Sequence, residues 1–264
     1  MTHREAAAAA FSETSAGPDA PAGRLAGGPV ASRRRSERGP RVRSRASRLI
    51  SRLLVIALSL SLPVSARAQE CVTLEDFAAG KVGELPPGWK LRDEKGRGVY
   101  TLQEEGGRRY LHAASQGLGI QAAKEITWDL ARYPVLAWSW RPVEFPTGGD
   151  ERNSKTNDSA LAVYGVFPHR MGSVRSVKYV WSAVVPIGTR LDSNMGLTQV
   201  RVLRTGTEGK GRWTDERVNL LEDYRKYFKV SDTPKPAGIA VLTDADDTKS
   251  RAQGDYASFR ACAP

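Results

Sequence analysis

The chain has 264 residues, with 40 lysines and arginines against 29 aspartates and glutamates and a formal charge of +11. The surplus is uneven: residues 1–68 hold 12 basic and four acidic side chains, which leaves 28 and 25 for residues 69–264. That near-balance, with no basic helix and no Gly-aromatic motif, excludes nucleic acid as a partner. A stretch of about 196 residues can bury a full core without a metal.

Residues 1–40 are dominated by Ala, Gly, Pro, Ser and Arg without apolar periodicity, a composition that does not offset the entropy of ordering. They read as a disordered low-complexity leader. Residues 41–68 read as a signal peptide: Arg41, Arg43, Arg45, Arg48 and Arg52, then the apolar run Leu53 to Leu62, then Ala66-Arg67-Ala68 before Gln69. The run is roughly 10 residues, well short of the ~20 a spanning helix needs, so no permanent membrane span is expected. The mature protein, residues 69–264, is then periplasmic or secreted. In an oxidising compartment Cys71 and Cys262 pair as a disulfide that sets the first and last strands side by side.

Leu74 to Phe77 reads as a first strand, and the Pro/Gly turn LPPGW, Leu85 to Trp89, delivers Trp89 to the core. Val99 to Gln103 and Arg109 to Ala114 are strands joined through Glu104 to Gly107, whose glycines can take positive φ. Ile120 to Leu130 reads as a strand because Ile126, Trp128 and Leu130 alternate and Tyr133-Pro134 stops a helix. Tyr133 to Phe167 looks like a hairpin-like unit of two apolar strands. In the first, Leu136, Trp138 and Trp140 share one face. Between them, Thr147 to Ser159 is too polar to bury and reads as a surface loop.

Val174 to Trp181 and Leu197 to Leu203 alternate as half-buried strands with one wet face. Leu220 to Phe228 is the one helix, with Asn219 as N-cap and Leu221, Tyr224 and Phe228 on one side. Gly238 to Leu242 and Tyr256 to Cys262 are the last strands. Many short strands and one helix indicate an all-β fold, an antiparallel jelly-roll-type β-sandwich.

Several residue groups invite a functional reading, each beside a plainer one. Asp244, Asp246 and Asp247 in TDADDT form either a solvated Asx-type turn or a site for a hard cation such as Ca²⁺, joined by Asp150 or Asp158. Trp138, Trp140 and Trp181 are either core or a platform for sugar rings. Trp213 is the better candidate for an exposed aromatic. Arg201, Arg204 and Arg212, with Arg170 and Arg175, are either solvated arginines or a basic face for an anionic glycan or headgroup. His112 and His169 sit in no HExxH motif, and GxSxG and phosphate-loop patterns are missing. Were the protein a glycan-cleaving enzyme, Asp150, Glu151, Asp158 and Asp244 would be the acids to inspect.

The segments DFAAG, LPPGW, YPVLAWSWRP, GGDERNSKTNDSALAVYGVF, KYVWS, ERVNLLEDYRKYF and GIAVLTDADDT together resemble a bacterial family of exported proteins known as DUF3047. The resemblance covers nearly all of residues 69–264 and implies a shape similar to lectin-like and carbohydrate-binding sandwiches. The favoured expectation is a non-enzymatic exported protein that binds a carbohydrate or another cell-envelope ligand, its partner being a glycan or an anionic envelope component. Its contacts would come from Trp138, Trp140, Trp213, Asp150, Asn157, Asp158 and Arg212. A glycan-cleaving enzyme and a structural envelope protein without a small ligand are the alternatives.

Overall fold

A computed structural model describes residues 69–264. The expected leader and signal peptide, residues 1–68, lie outside the described residues. Thirteen strands form two sheets. β1 (Cys71–Glu75), β3 (Tyr100–Glu105), β4 (Arg108–Gln116), β6 (Val135–Glu144), β11 (Thr214–Asn219) and β13 (Arg251–Cys262) make a six-stranded sheet. β2 (Trp89–Leu91), β5 (Ala122–Glu125), β7 (Leu161–Pro168), β8 (Val174–Ser182), β9 (Arg190–Ser193), β10 (Thr198–Thr205) and β12 (Gly238–Leu242) make a seven-stranded one, in the order β2-β5-β12-β7-β8-β10-β9. The fold is the expected jelly-roll-type sandwich with one helix. Its pairs are antiparallel except β8 with β10, which run parallel.

The main core lies between the sheets. Leu136, Trp138, Trp140, Tyr256 and Phe259 from one side meet Leu161, Val163, Phe167, Tyr179, Trp181, Ile239 and Val241 from the other. Trp138 and Trp140 are 1% and 0% exposed and pack edge to face at 5.3 Å. Tyr179 lies 5.7 Å from Trp138, and Trp181 5.8 Å from Trp140. The platform reading of these tryptophans is therefore corrected. Their face of β6 turns inward, and large aromatic area is worth most where water is excluded.

Helix α1 (Leu220–Phe228) forms where the sequence places it. Asn219 Oδ1 accepts the Glu222 N–H at 3.0 Å, and Lys229 closes the other end in a left-handed conformation. Leu220, Leu221, Tyr224 and Tyr227 are buried, and Tyr224 meets Phe167 at 4.5 Å. Gly165 permits this packing, since a Cβ there would fall 2.7 Å from Leu220 Cδ1.

Cys71 faces Cys262 across the β1–β13 ladder, and the two are joined by a disulfide. Trp89 is buried, as the LPPGW turn implied. Its Nε1 donates at 2.9 Å to Glu75, which also accepts from Lys124 at 2.7 Å. Gly106 and Gly107 take positive φ in the β3–β4 turn.

Four local expectations change. β6 and β7 are not a hairpin: they belong to opposite sheets, and Phe145 to Ala160 crosses between them. The first strand begins at Cys71, three residues before the expected Leu74. Only Ala122–Glu125 of Ile120 to Leu130 is a strand, after which Asp129 accepts from the Ala131 and Arg132 N–H groups in an Asx turn. β8 has no wet face, because Ser176 through Ser182 are all buried.

Among the described residues no helix is long and apolar enough to cross a membrane.

Candidate functional site: a polar groove on the outer face of the seven-stranded sheet

The register of the seven-stranded sheet builds the site. On its outer face Ala123, Ala240, Tyr164, Lys178 and Val200 stand in a row across β5, β12, β7, β8 and β10. Alanines on two adjoining strands leave a trough beside the larger Tyr164 and Lys178. Val185, from the segment after β8, packs with Val180, Val200 and Val202 on this same face. A cavity of about 210 Å³ remains, lined among others by Arg92, Gln121, Asn157, Tyr164, Ser176, Lys178, Thr198, Asp244 and Asp246.

The acids reach this trough for a topological reason. β12 leaves the sheet at Thr243-Asp244, flanked by the start of β7 and the start of β5. The loop that ends at Asp158 and the connection that contains Gly119 therefore lie on either side of Asp244. Backbone bonds fix both: Asp244 N–H to Ser159 O at 2.9 Å and Ala245 N–H to Leu118 O at 3.1 Å. One carboxylate oxygen from each of Asp158, Asp244 and Asp246 falls within 4.8 Å of the others. A Cβ at Gly119 would stand 2.5 Å from Asp244 Oδ1 and 2.7 Å from Asp246 Oδ1, so only glycine allows the backbone this close to the acids.

Asp158 and Asp244 are held differently. Asp158 is 1% exposed, and it accepts from the Asp247 N–H at 3.2 Å, the Thr248 N–H at 2.7 Å and the Thr248 hydroxyl at 2.5 Å. It holds the TDADDT turn. Asp244 is 7% exposed, and no N–H or O–H group among the described residues donates to its Oδ1; the Asp246 carboxyl can bond to Asp244 only through a shared proton. Burial pushes the Asp244 carboxyl well above the usual range. The Lys178 ammonium pulls it back, and Asp246 and Asp158 push it further up. Burial works to lower Lys178, yet Tyr164, Asp244 and Glu151 outweigh it and hold the ammonium above its ordinary value.

The polar loop is less wet than its composition implied. Glu151, Asp158 and Ser159 are buried, and Glu151 accepts from Ser159 at 2.7 Å and from Ser182 at 2.5 Å. These bonds are what make burial of so polar a segment tolerable. Asp150 stays outside this cluster. Its carboxyl is drawn below the usual range chiefly by the hydrogen bond from Arg152, 2.6 Å away.

Of the residues singled out in the sequence, Asn157, Asp158, Asp244 and Asp246 come together, and the rest do not join them. The acidic trio is Asp244 and Asp246 with Asp158, one of the two residues expected to join the TDADDT acids, while the Asp247 and Asp150 carboxylates are not part of it. Trp213 is half-buried at the six-stranded sheet, edge-on to Tyr110 at 5.4 Å, with the Arg108 and Arg141 guanidiniums 4.7 and 4.9 Å from its ring. Arg212 donates to the Glu208 carbonyl at 2.7 Å. The basic face also dissolves, because Arg201 pairs with Asp223 at 2.9 Å, Arg204 pairs with Glu216 at 2.7 Å, and Arg175 lies over Phe228. The sequence reading missed Tyr164, Lys178, Gln121 and Gly119. A lysine inside the apolar β8 run was the available signal.

The model of the family described as "Protein of unknown function (DUF3047)" matches residues 87–260. The chain belongs to the DUF3047 family. The matched span of this DUF3047 protein runs from the LPPGW turn to Arg260 near the end of β13 and includes every residue of the groove. No curated protein matches the chain.

Among solved structures, it is similar to a non-crystalline-cellulose-specific carbohydrate-binding module, CBM28, at 11% identity and a TM-score of 0.36, over 70% of this chain and 96% of that one. It is also similar to Trichoderma harzianum endoglucanase 3 from family GH12, at 11% identity and a TM-score of 0.38, over 75% and 98% of the two chains. A family 11 xylanase from Neocallimastix patriciarum matches at 12% identity and a TM-score of 0.33, over 62% and 85%.

Proposed function

We propose that this protein is an exported, non-enzymatic binding protein whose outer-sheet groove takes a hydroxyl-rich ligand of carbohydrate type. One observation carries the reading: the Lys178 ammonium and the Asp244 carboxyl, both under a tenth exposed, sit at a cavity on the outer face of the seven-stranded sheet. Taking such groups out of water costs several kcal/mol, and packing alone does not require it. Around them the lining offers donors from Arg92 and Lys178, acceptors from Asp244 and Asp246, and groups of both kinds from Gln121, Asn157, Ser176 and Thr198. A sugar hydroxyl both donates and accepts, so this mixture suits it better than an anion or an apolar ligand. The volume falls below the roughly 300–1,000 Å³ of drug-sized pockets and suits one ring-sized unit.

Geometry favours binding over hydrolysis. Retaining glycosidases hold two carboxyl groups about 5 to 5.5 Å apart across the bond, and inverting ones hold them farther apart. Here Asp158 is engaged by three donors, and the remaining two acids crowd each other on one side of the trough. Export is supported by the disulfide, which persists in an oxidising compartment, and by the leader's sequence pattern.

The test is a glycan-array screen of the disulfide-bonded protein beside Asn157→Ala and Tyr164→Phe, with a turnover assay on every hit. Saccharide binding weakened by both changes without turnover is expected. Cleavage of a hit would replace the binding reading with a hydrolase, and an empty array would leave a structural envelope protein.

A further inference from the structure

The groove contains an arrangement that sugar binding alone does not explain. Three carboxylates converge from two separate segments, the loop ending at Asp158 and the turn after β12. A cluster of this kind is often only a solvated turn, but two features here are not those of a turn. Asp244 is 7% exposed, and its Oδ1 points at no donor among the described residues. An orphaned buried acceptor costs about 1–3 kcal/mol, more when charged. Gly119, meanwhile, leaves the space beside Asp244 Oδ1 and Asp246 Oδ1 free of any side chain.

We infer that Asp158, Asp244 and Asp246 form a site for a hard divalent cation of Ca²⁺ type, open toward the groove. Oxygen ligands sit about 2.3–2.6 Å from Ca²⁺, so any two bound to one ion are at most about 5 Å apart. The trio's mutual limit of 4.8 Å satisfies that. An all-oxygen set suits Ca²⁺, whereas Zn²⁺ sites favour nitrogen and sulfur. Charge also fits: with all three carboxylates ionised around a bound cation, they and the Lys178 ammonium sum to minus two.

Asp244 and Asp246 both line the cavity, so positions on the ion left unfilled by the protein face the ligand space. This last point rests on the groove being the ligand site. The cation site itself does not.

The experiment is a Ca²⁺ titration of the chelator-stripped, disulfide-bonded protein, followed by calorimetry and melting, with terbium emission as a probe that needs no variant. Tyr100 accepts the Thr243 N–H at 3.2 Å, one residue from Asp244, and can sensitise that emission. One-site binding with a Kd on the order of 0.1–1 mM is expected, as in extracellular modules, with a raised Tm and Ca²⁺-competable terbium emission. The Asp244 carboxyl is the hydrogen-bonding neighbour of Asp246, and an amide can make that bond too, so Asp246→Asn should fold. Its chelated form should melt no lower than the wild type, while Ca²⁺ affinity falls at least about ten-fold.

Absence of calorimetric, melting and terbium signals at about ten times the expected Kd would overturn the site, as would binding unchanged in Asp246→Asn. An empty glycan array beside intact Ca²⁺ binding would sink the sugar reading and spare the cation site. Sugar binding indifferent to a chelator, in a protein that gives no terbium signal, would do the reverse.

Discussion

Replacing Cys71 and Cys262 with alanine should cost a large part of the stability of residues 69–264. The disulfide closes a loop with a sequence separation of 191. Chain-entropy bookkeeping, with about −2.1 − 1.5R ln n cal/mol/K for the unfolded chain, gives about 5 kcal/mol at 25 °C. That is a third or more of a typical domain's 5–15 kcal/mol. The double variant should still fold, because the ladder that pairs Val72 with Ala261 and Thr73 with Arg260 does not depend on sulfur.

Urea unfolding should therefore show a lower midpoint together with a steeper dependence on urea, since the uncrosslinked unfolded chain exposes more surface. An unchanged midpoint and slope would refute the reasoning, because the crosslink would then not restrict the unfolded chain.

Glu75→Ala should destabilise by about 3 kcal/mol in the same assay, because it strands the Trp89 and Phe77 N–H groups and leaves Lys124 without its carboxylate; a loss under about 0.5 kcal/mol would contradict this. Trp138→Ala should cost about 3–5 kcal/mol, while Asn157→Ala at the groove rim should stay within about 0.5 kcal/mol. Alkaline titration followed by phenolate absorbance should show Tyr100, Tyr179, Tyr227 and Tyr256 resisting ionisation near pH 11. Burial raises all four, Tyr227 to about 12. Because these folded-state values lie above the ordinary ~10, their contribution to stability is whole below pH 10 and is lost as pH rises through the raised values. Ionisation of all eight tyrosines at pH ~10 in the folded protein would count against their burial.

Local signals were readable wherever the residues that decide an element are neighbours in sequence. Helix α1 has its bounds where the Asn219 cap and the spacing of Leu221, Tyr224 and Phe228 put them, and β12 matches its apolar run residue for residue. Sheet membership was not readable. The alternation in β6 and β7 says which side chains share a face, but only pairing with β13 and β12, about 70 to 130 residues later, says that the two strands lie in opposite layers. Edge strands β9 and β11 mix polar and apolar residues and give no period-two signal beyond that of a loop.

The same limit governed the site. Asp158 and Asp244 stood out as carboxylates, but their meeting depends on Leu242 lying opposite Ala162 in the β7–β12 register. Lys178 looked like a wet-face residue because nothing local reveals that the outer face of β8 is covered.

Mapping a bound saccharide by amide and side-chain NMR shifts tests the central claim most directly. The account predicts perturbations concentrated at Gln121, Asn157, Tyr164, Ser176 and Lys178, on the outer face of the seven-stranded sheet. Shifts gathered instead around Trp213 and Tyr110, on the opposite sheet, would contradict it.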